Sequence, residues 1–314
     1  MKSDKHLDFW AKEWLDNKKN TVKDSTYVKY RSTVFVHIIP ALGNLSIPYL
    51  NNNDLQNFIN MKVNKELLSE KTVSEIINIL KNILEYAEDF SVSNQCKFKY
   101  ICIKNKKSKA IRFLSKSEEK VLLHILLNNI DIYKLGVLIS LYSGLRLGEI
   151  CALKWENIDF EENTIFVEHT MQRLQVINAV KKTNIVITSP KTISSYRKVP
   201  ISSFLIDILK EFKTNDGSFV LSTSKIFFVE PRVMQYRFKT YLRQGNIIDA
   251  NFHSLRHTFA TRCIESGVEA KALSEMLGHS SVTITLDRYV HSTMEYKQSN
   301  INKFDEYMNN LSQS

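Results

Sequence analysis

Apolar residues recur every three or four positions along the first third of the chain, and this spacing predicts amphipathic helices. One helix is expected over 7–17, and a second runs from a cap at Asp24 or Ser25 to Pro40. A third begins after Asp54, and a fourth covers about 69–90. Short polar connections join the four helices. Residues 1–96 are therefore predicted to form a small helical bundle with its own core.

The rest of the chain first continues as helices and then changes period. A very apolar helix over 133–142 is expected to be central in a second domain, 113–290. Period-two alternation then predicts three strands of one small sheet, with 171–184 as a long hairpin excursion outside the core. The strands are expected at 164–167, 185–188 and 196–200, and helices resume at about 202–213, 231–244, 252–266, 269–277 and 281–290. The predicted fold is mainly α with a small antiparallel sheet (α+β).

A basic segment, 97–112, separates the two predicted domains and contains no acidic residue. It is either a solvated linker or a strip that follows a phosphate backbone, and the two interpretations are compatible. Its basic residues are Lys97, Lys99, Lys104, Lys106, Lys107, Lys109 and Arg112. The tail, 291–314, is polar with sparse apolar residues, which could form a helix that docks on its own domain or on a neighbouring molecule.

Composition narrows the class of partner. The chain has 43 Lys and Arg against 33 Asp and Glu, a formal net charge of +10, which favours a polyanion such as nucleic acid. No segment approaches the ~20 apolar residues that span a bilayer, and no secretion signal opens the chain. The four cysteines have neither C-x-x-C nor zinc spacing. We therefore expect a cytoplasmic protein with reduced thiols and no zinc site.

Six side chains in the second domain together suit the cleavage of a phosphodiester by a protein nucleophile. They are Arg146, Lys191, His253, Arg256, His279 and Tyr289. A tyrosine hydroxyl, with a free pKa near ~10, needs a base or a cationic site to attack phosphorus. Two arginines can bind both non-bridging oxygens, a histidine can take the phenolic proton, and a lysine can protonate the leaving oxygen. Each residue alone would be an ordinary surface or packing residue.

The local pattern around the first two residues indicates how they are displayed. Arg146 follows a glycine and precedes a helix start, so Glu149, three residues on, can reach back to hold it. Lys191 lies in a Pro-containing polar run between two predicted strands, so it is expected at a hairpin tip. From there it could enter a DNA groove.

The remaining residues lie on predicted helices and turns near the end of the domain. His253 and Arg256, three apart, share a helix face, whereas His257 is interpreted as structural. A left-handed glycine stop leaves His279 on a connecting turn, and Tyr289 lies at or near the end of the next helix.

At these positions the sequence resembles the tyrosine recombinase (phage integrase) family, in family order. The matching segments are 143–146 with Glu149, 189–192 leading to Ser195, Arg197 and Pro200, 253–258, 277–280, and Tyr289. The resemblance covers about 112–290, and the bundle resembles the family's core-binding, SAM-like domain. The resemblance implies that Arg146 and Arg256 bind the scissile phosphate and that His279 donates a hydrogen bond to it. It implies that Tyr289 is the nucleophile that forms a 3′-phosphotyrosine, and that His253 acts in proton transfer at this tyrosine. Lys191 would be the general acid toward the 5′ oxygen, and Glu149 would hold the phosphate-binding residues in place without contacting the phosphate.

The resemblance also implies partners and a biological role. Strand exchange would need double-stranded DNA sites, a homotetramer with the C-terminal tail packed in trans, and an accessory DNA-bending or directionality protein, but no ATP, metal or membrane. The extended excursion before Lys191 is most similar to integrases of conjugative transposons and low-GC phages. Integration or excision of a mobile element is therefore the leading hypothesis. A chromosome-dimer resolvase of the same chemistry and a catalytically silent DNA-binding regulator are the alternatives.

Overall fold

The computed structural model divides into two compact units, residues 1–109 and 110–314. Each unit has its own buried apolar core. The structure describes residues 5–100, 111–175, 183–189, 195–214, 217–289 and 294–312.

The N-terminal unit is the predicted helical bundle. Its helices are α1 (Leu7–Lys18), α2 (Asp24–Thr33), α3 (Ile39–Leu42), α4 (Asn52–Asn60) and α5 (Glu70–Glu88). Ser69 caps α5, and the predicted apolar face of that helix is buried from Val73 to Ala87. Trp10 and Trp14 of α1 are almost fully buried in the same core.

Two helices of this unit continue as π-helical turns. The second predicted helix does not end at Pro40: α2 runs into a π turn at Val34–Ile38 and then into α3, where proline occupies the first turn. Proline lacks an N–H, and in a regular α-helix its ring would meet the carbonyl four residues back. The wider π turn before Pro40 changes that carbonyl pattern, so the chain continues to Leu42. The other π turn, Met61–Lys65, extends α4.

The second unit is built around one apolar helix, as predicted. Gly136 to Ile139 of this helix, α7 (Ile132–Ser143), are fully buried. The other helices of the unit are α6 (Lys116–Leu127), α8 (Leu147–Ala152), α9 (Ser203–Phe212), α10 (Pro231–Gln244), α11 (Phe252–Glu265), α12 (Ala270–Leu277), α13 (Val282–Tyr289) and α14 (Met294–Ser312). These bounds agree closely with the helices that the periodicity predicts.

The strands among the described residues form two sheets, so the prediction that all three strands share one sheet is wrong. A three-stranded antiparallel sheet has the order β1 (Ile158–Asp159), β2 (Thr164–Val167) and β5 (Arg197–Pro200). A separate hairpin pairs β3 (Thr170–Gln175) with β4 (Thr183–Thr188).

Two features of β3 account for the error. First, polar residues such as Gln172 mask the alternation of apolar and polar positions in β3. Second, Met171 of this strand is buried in the core and does not belong to an excursion outside it. The segment that carries Lys191 therefore joins strands of two sheets and does not turn one strand back onto its partner. Lys191 itself lies outside the described residues.

No helix in the described ranges is long and apolar enough to cross a membrane. The C-terminal tail contains α14, which has four large apolar side chains that are about half exposed at helical spacing: Ile301, Phe304, Met308 and Leu311.

Candidate active site

The turn between α7 and α8 positions Arg146. Gly144 ends α7 in the left-handed conformation at φ +67°, and a β-carbon there would lie 2.5 Å from the ring of Phe259, so only glycine fits. Arg146 then occupies the N-cap of α8. Its backbone N–H donates to Glu149 Oε2 (2.8 Å) and its guanidinium donates to Oε1 (2.8 Å), as the i, i+3 spacing predicts.

A second arginine, Arg197 on β5, completes the support of Glu149. Its guanidinium donates to both carboxylate oxygens at 3.1 and 2.9 Å, and both side chains of this ion pair are 6% exposed. Arg197 also donates to the carbonyl of Met276, next to the α12 C-terminus (2.6 Å). Burial alone would raise the pKa of Glu149, but the hydrogen bonds and charges of Arg197 and Arg146 outweigh it and hold the pKa below its usual value.

The guanidinium of Arg256 is buried behind that of Arg146. It donates to the carbonyls of Gly144 (2.9 Å) and Leu277 (2.6 Å), while Arg146 donates to the carbonyl of Gly278 (3.2 Å). Two guanidiniums are thus anchored on consecutive carbonyls at the end of α12. Burial and the nearby charge of Arg146 lower the pKa of Arg256 to about 9. An anion that entered the site would relieve this repulsion between the cations.

Three imidazoles surround this pair of cations, and the pKa of each is lowered to about 4 by desolvation and by the nearby positive charges. His253 is exposed and lines a cavity of about 340 Å³ together with Arg256, Gln235 and Lys239. His257 follows one helical turn later, with its ring edge-on to that of His253 and the ring centroids 4.5 Å apart. All three rings are therefore neutral at pH 7.

The hydroxyl of Tyr289 points at one of these rings. Tyr289 ends α13 with 6% of its surface exposed, and its hydroxyl lies 2.7 Å from Nδ1 of His257. The ring of His279 stacks parallel to that of Tyr289, with the centroids 6.4 Å apart. Burial raises the pKa of Tyr289, and the charges of Arg256 and Arg288 oppose part of that rise.

A hydrogen bond with Thr285 fixes the orientation of the His279 ring. Its Nδ1 lies 2.8 Å from the hydroxyl of Thr285, which is fully buried in α13. A neutral imidazole donates through one nitrogen and accepts through the other. If Nδ1 accepts from Thr285, then Nε2 carries the hydrogen and can donate to an anion.

The structure brings together the predicted site residues that it describes. They are Arg146, Glu149, His253, Arg256, His279 and Tyr289. Of the basic linker residues, Lys97 and Lys99 are exposed, whereas Arg112 pairs with Glu118 and donates to the carbonyl of Ile248. Lys104, Lys106, Lys107 and Lys109 lie outside the described residues, as Lys191 does.

Sequence reasoning missed three residues of the site. His257, which the sequence analysis interprets as structural, contacts the Tyr289 hydroxyl through its ring. Its position four residues after His253, on the same helix face, was the available signal. Arg197 was among the residues that match the family pattern but had no predicted role, and Thr285 had no signal, because their partners lie 48 and 6 positions away in other elements. Within the described ranges, no group of three or more His, Cys, Asp or Glu residues could hold a metal ion.

The phage integrase family matches residues 112–296, and the phage integrase N-terminal SAM-like domain matches residues 7–63. A tyrosine recombinase XerC-like protein of Caldanaerobacter subterraneus subsp. tengcongensis is 31% identical over 297 residues, which cover 86% of this chain and 74% of the relative.

Two solved structures have a similar fold. The Tn1549 transposon integrase, solved with a circular intermediate DNA, has a TM-score of 0.80 at 21% identity and covers 96% of this chain and 100% of that one. A lambda integrase tetramer on a Holliday junction has a TM-score of 0.67 at 16% identity, with 90% and 77% coverage. The family match covers more than half of the chain and includes the whole site described above. The chain therefore belongs to the phage integrase family of tyrosine recombinases.

Proposed function

We propose that this protein is a site-specific DNA recombinase that cleaves and rejoins DNA through a 3′-phosphotyrosine at Tyr289. The observation that carries the proposal is the placement of the Tyr289 hydroxyl, 2.7 Å from a neutral imidazole and beside two anchored guanidiniums. Arg146 and Arg256 would bind the non-bridging oxygens of the scissile phosphate and stabilise the charge of its transition state.

The other site residues would have supporting roles. His253 would take part in proton transfer at the tyrosine, and His279 would donate a hydrogen bond to the phosphate. Glu149 would keep the guanidinium of Arg146 in place. Lys191 would protonate the 5′ oxygen as it leaves. Because the phosphotyrosine conserves the energy of the phosphodiester, religation would require neither ATP nor a metal ion.

The test uses a nicked suicide duplex, whose cleaved end diffuses away and traps the covalent intermediate. Its core site would be selected from a random duplex pool by binding to the Tyr289→Phe protein. Incubated in EDTA, the wild-type protein should form an adduct that survives denaturation. A selected duplex that binds tightly without an adduct would favour a DNA-binding regulator, and an adduct that appears only with added metal would contradict the metal-free mechanism.

Lys191→Ala should cleave that duplex roughly 10²–10⁴-fold more slowly, the usual contribution of a general acid. A duplex with sulfur in place of the bridging 5′ oxygen should restore most of the rate. The reason is that a thiolate, whose conjugate acid has a pKa near ~8.5, leaves without a proton. Single-turnover cleavage of both duplexes measures this. Equal losses on the oxygen and sulfur duplexes would rule out the general-acid role.

Thr285→Val should slow cleavage roughly three- to tenfold, the value of one lost hydrogen bond, because Nδ1 of His279 would lose its donor. Thr285→Ser keeps the hydroxyl and should stay close to the wild type. The comparison is made by single-turnover cleavage, with thermal melting to verify folding. Valine and serine variants of equal rate would mean that Thr285 does not orient His279.

The substrate would be double-stranded DNA, gripped by both units. The exposed Lys97 and Lys99 support a linker that follows the phosphate backbone, together with Lys104, Lys106, Lys107, Lys109 and Arg112. The half-exposed apolar side chains of α14 would dock on a neighbouring copy, and the lambda integrase tetramer supports a homotetramer on DNA. We also propose that an accessory DNA-bending or directionality protein is a partner in the reaction.

The likeness to the Tn1549 integrase favours the integration and excision of a mobile element as the biological role. The XerC-like relative supports the second candidate, a chromosome-dimer resolvase of the same chemistry.

A further inference from the structure

We propose that His257 is the catalytic base that removes the proton of Tyr289, with the adjacent His253 completing an imidazole pair. This inference rests on the proposed function, because it assigns a step of that same reaction. It gives His257 a direct chemical role in place of a packing role.

The geometry of the pair carries the inference. Nδ1 of His257 lies 2.7 Å from the phenolic oxygen, which is the distance of a hydrogen bond along which a proton can move. The two residues come from α11 and α13, 32 positions apart, and both side chains are at least partly withdrawn from solvent. Tyr289 is held by packing against Leu273 and Leu277, so the contact does not depend on a mobile ring.

The protonation states are compatible with this role. Desolvation and the charges of Arg288 and Arg256 keep the pKa of His257 low, so its ring is neutral and can accept a proton at neutral pH. For Nδ1 to accept, Nε2 must carry the ring hydrogen. A phosphodiester bound between Arg146 and Arg256 adds negative charge beside the ring. That charge favours the imidazolium and strengthens the base when substrate is present.

The phenolic proton moves to Nδ1 of His257 while the tyrosine oxygen forms a bond to phosphorus. The bond from phosphorus to the 5′ oxygen breaks, and that oxygen takes a proton from Lys191. Religation reverses each transfer, with the imidazolium of His257 returning its proton to Tyr289. The rings of His253 and His257 are 4.5 Å apart, so a proton on either ring lowers the pKa of the other, and His253 would take part in the proton transfer in this indirect way.

The first test compares His257→Asn with the wild type on the selected suicide duplex. The amide oxygen of asparagine lies close to the position of Nδ1, so it can still hold the phenol, but it is not basic. We expect the single-turnover rate to fall roughly 100-fold or more, the usual contribution of a general base, with DNA binding and thermal melting unchanged. Less than a tenfold loss would overturn the base assignment and leave a positioning role.

The sulfur-bridged duplex separates this step from protonation of the leaving group. The loss in His257→Asn should persist there, because His257 acts on the attacking oxygen, whereas the loss in Lys191→Ala should recover. Recovery of His257→Asn on the sulfur duplex would overturn the inference. A wild-type protein that forms no adduct would defeat the proposed function itself, which is a different outcome from a small His257 effect.

A measurement on the wild-type protein covers the case in which the variant does not fold. Nitrogen-15 spectra of histidine-labelled protein report which ring nitrogen carries hydrogen. We expect His257, assigned by its loss in His257→Gln, to have an unprotonated, hydrogen-bonded Nδ1 whose signal shifts in Tyr289→Phe. A protonated Nδ1 at neutral pH would overturn the inference, since it would donate to the phenol rather than accept from it.

Discussion

Tyr289→Phe should abolish covalent cleavage, lowering adduct formation by roughly 10⁴-fold or more, because phenylalanine has no oxygen to attack phosphorus. The phenyl ring retains the packing of Tyr289 against Ala260, Leu273 and Leu277, so we expect the fold and the affinity for DNA to be preserved. Denaturing gels of the suicide-duplex reaction measure the adduct, and a binding titration at fixed salt measures the affinity.

Tyr142→Phe is the matched control for this substitution. Tyr142 lies on α7 of the same unit, and its ring packs against Phe204 with the centroids 5.1 Å apart. Removing its hydroxyl should leave the cleavage rate close to that of the wild type. A Tyr289→Phe protein that still formed an adduct, or one that lost DNA binding, would contradict the assignment of Tyr289 as the nucleophile.

Glu149→Gln should give the largest loss of stability among the site variants. The carboxylate accepts from Arg146 and Arg197, and glutamine would turn an N–H₂ toward these donors. Breaking a buried ion pair by neutralising one partner costs about 3–5 kcal/mol. For a unit of this size, such a loss lowers the melting temperature by roughly 6–20 °C. Cleavage should fall as well, because the Arg146 guanidinium loses its anchor.

Glu162→Gln tests whether the effect depends on burial. Glu162 also forms an ion pair, with Lys198, but the two side chains are 60% and 62% exposed, so its loss should not measurably change the melting temperature. A double variant, Glu149→Gln with Arg197→Gln, should be less destabilised than the sum of the single changes, since it also removes the buried charge of Arg197 that Glu149→Gln alone leaves unpaired. Equal melting shifts in Glu149→Gln and Glu162→Gln would show that the buried network contributes no special stability.

The site is electrostatically prepared for an anion. The guanidiniums of Arg146 and Arg197 bind the carboxylate of Glu149, whereas that of Arg256 donates to backbone carbonyls. The ring of His279 beside them is neutral. The surplus positive charge is held by backbone carbonyls rather than by acids, so it is not cancelled locally. A phosphodiester would therefore meet fixed donors that need little rearrangement when charge develops in the transition state.

Much of the fold follows from local pattern. The helix boundaries of the second unit, the αL glycine after α7 and the reach of Glu149 to Arg146 depend on neighbours within one turn, so periodicity and capping rules predict them. The central position of α7 also follows from its uninterrupted apolar run. By contrast, Pro40 is a strong stop signal that a π turn overrides, and this turn has no sequence signature of its own.

The parts that were missed depend on contacts between distant segments. Arg197 meets Glu149 only because β5 pairs with β2 and brings the two together across 48 positions. The pairing of β3 with β4 required a register that the polar face of β3 conceals. His257 could be placed on the same face as His253 by counting, but its bond to Tyr289 depends on how α13 packs against α11. Such contacts depend on tertiary packing and cannot be predicted from the spacing of residues along the sequence.

The most direct test of the account is the chemical identity of the covalent link. The denatured wild-type adduct would be digested with trypsin and nuclease, and the peptide that carries nucleotide would be fragmented in a mass spectrometer. We predict a phosphotyrosine on the 289–297 peptide, located at Tyr289 rather than Tyr296, joined to the 3′ oxygen of the nucleoside, with a free 5′ hydroxyl on the released strand. A link at any other residue, or through a 5′ phosphate, would contradict the proposed mechanism.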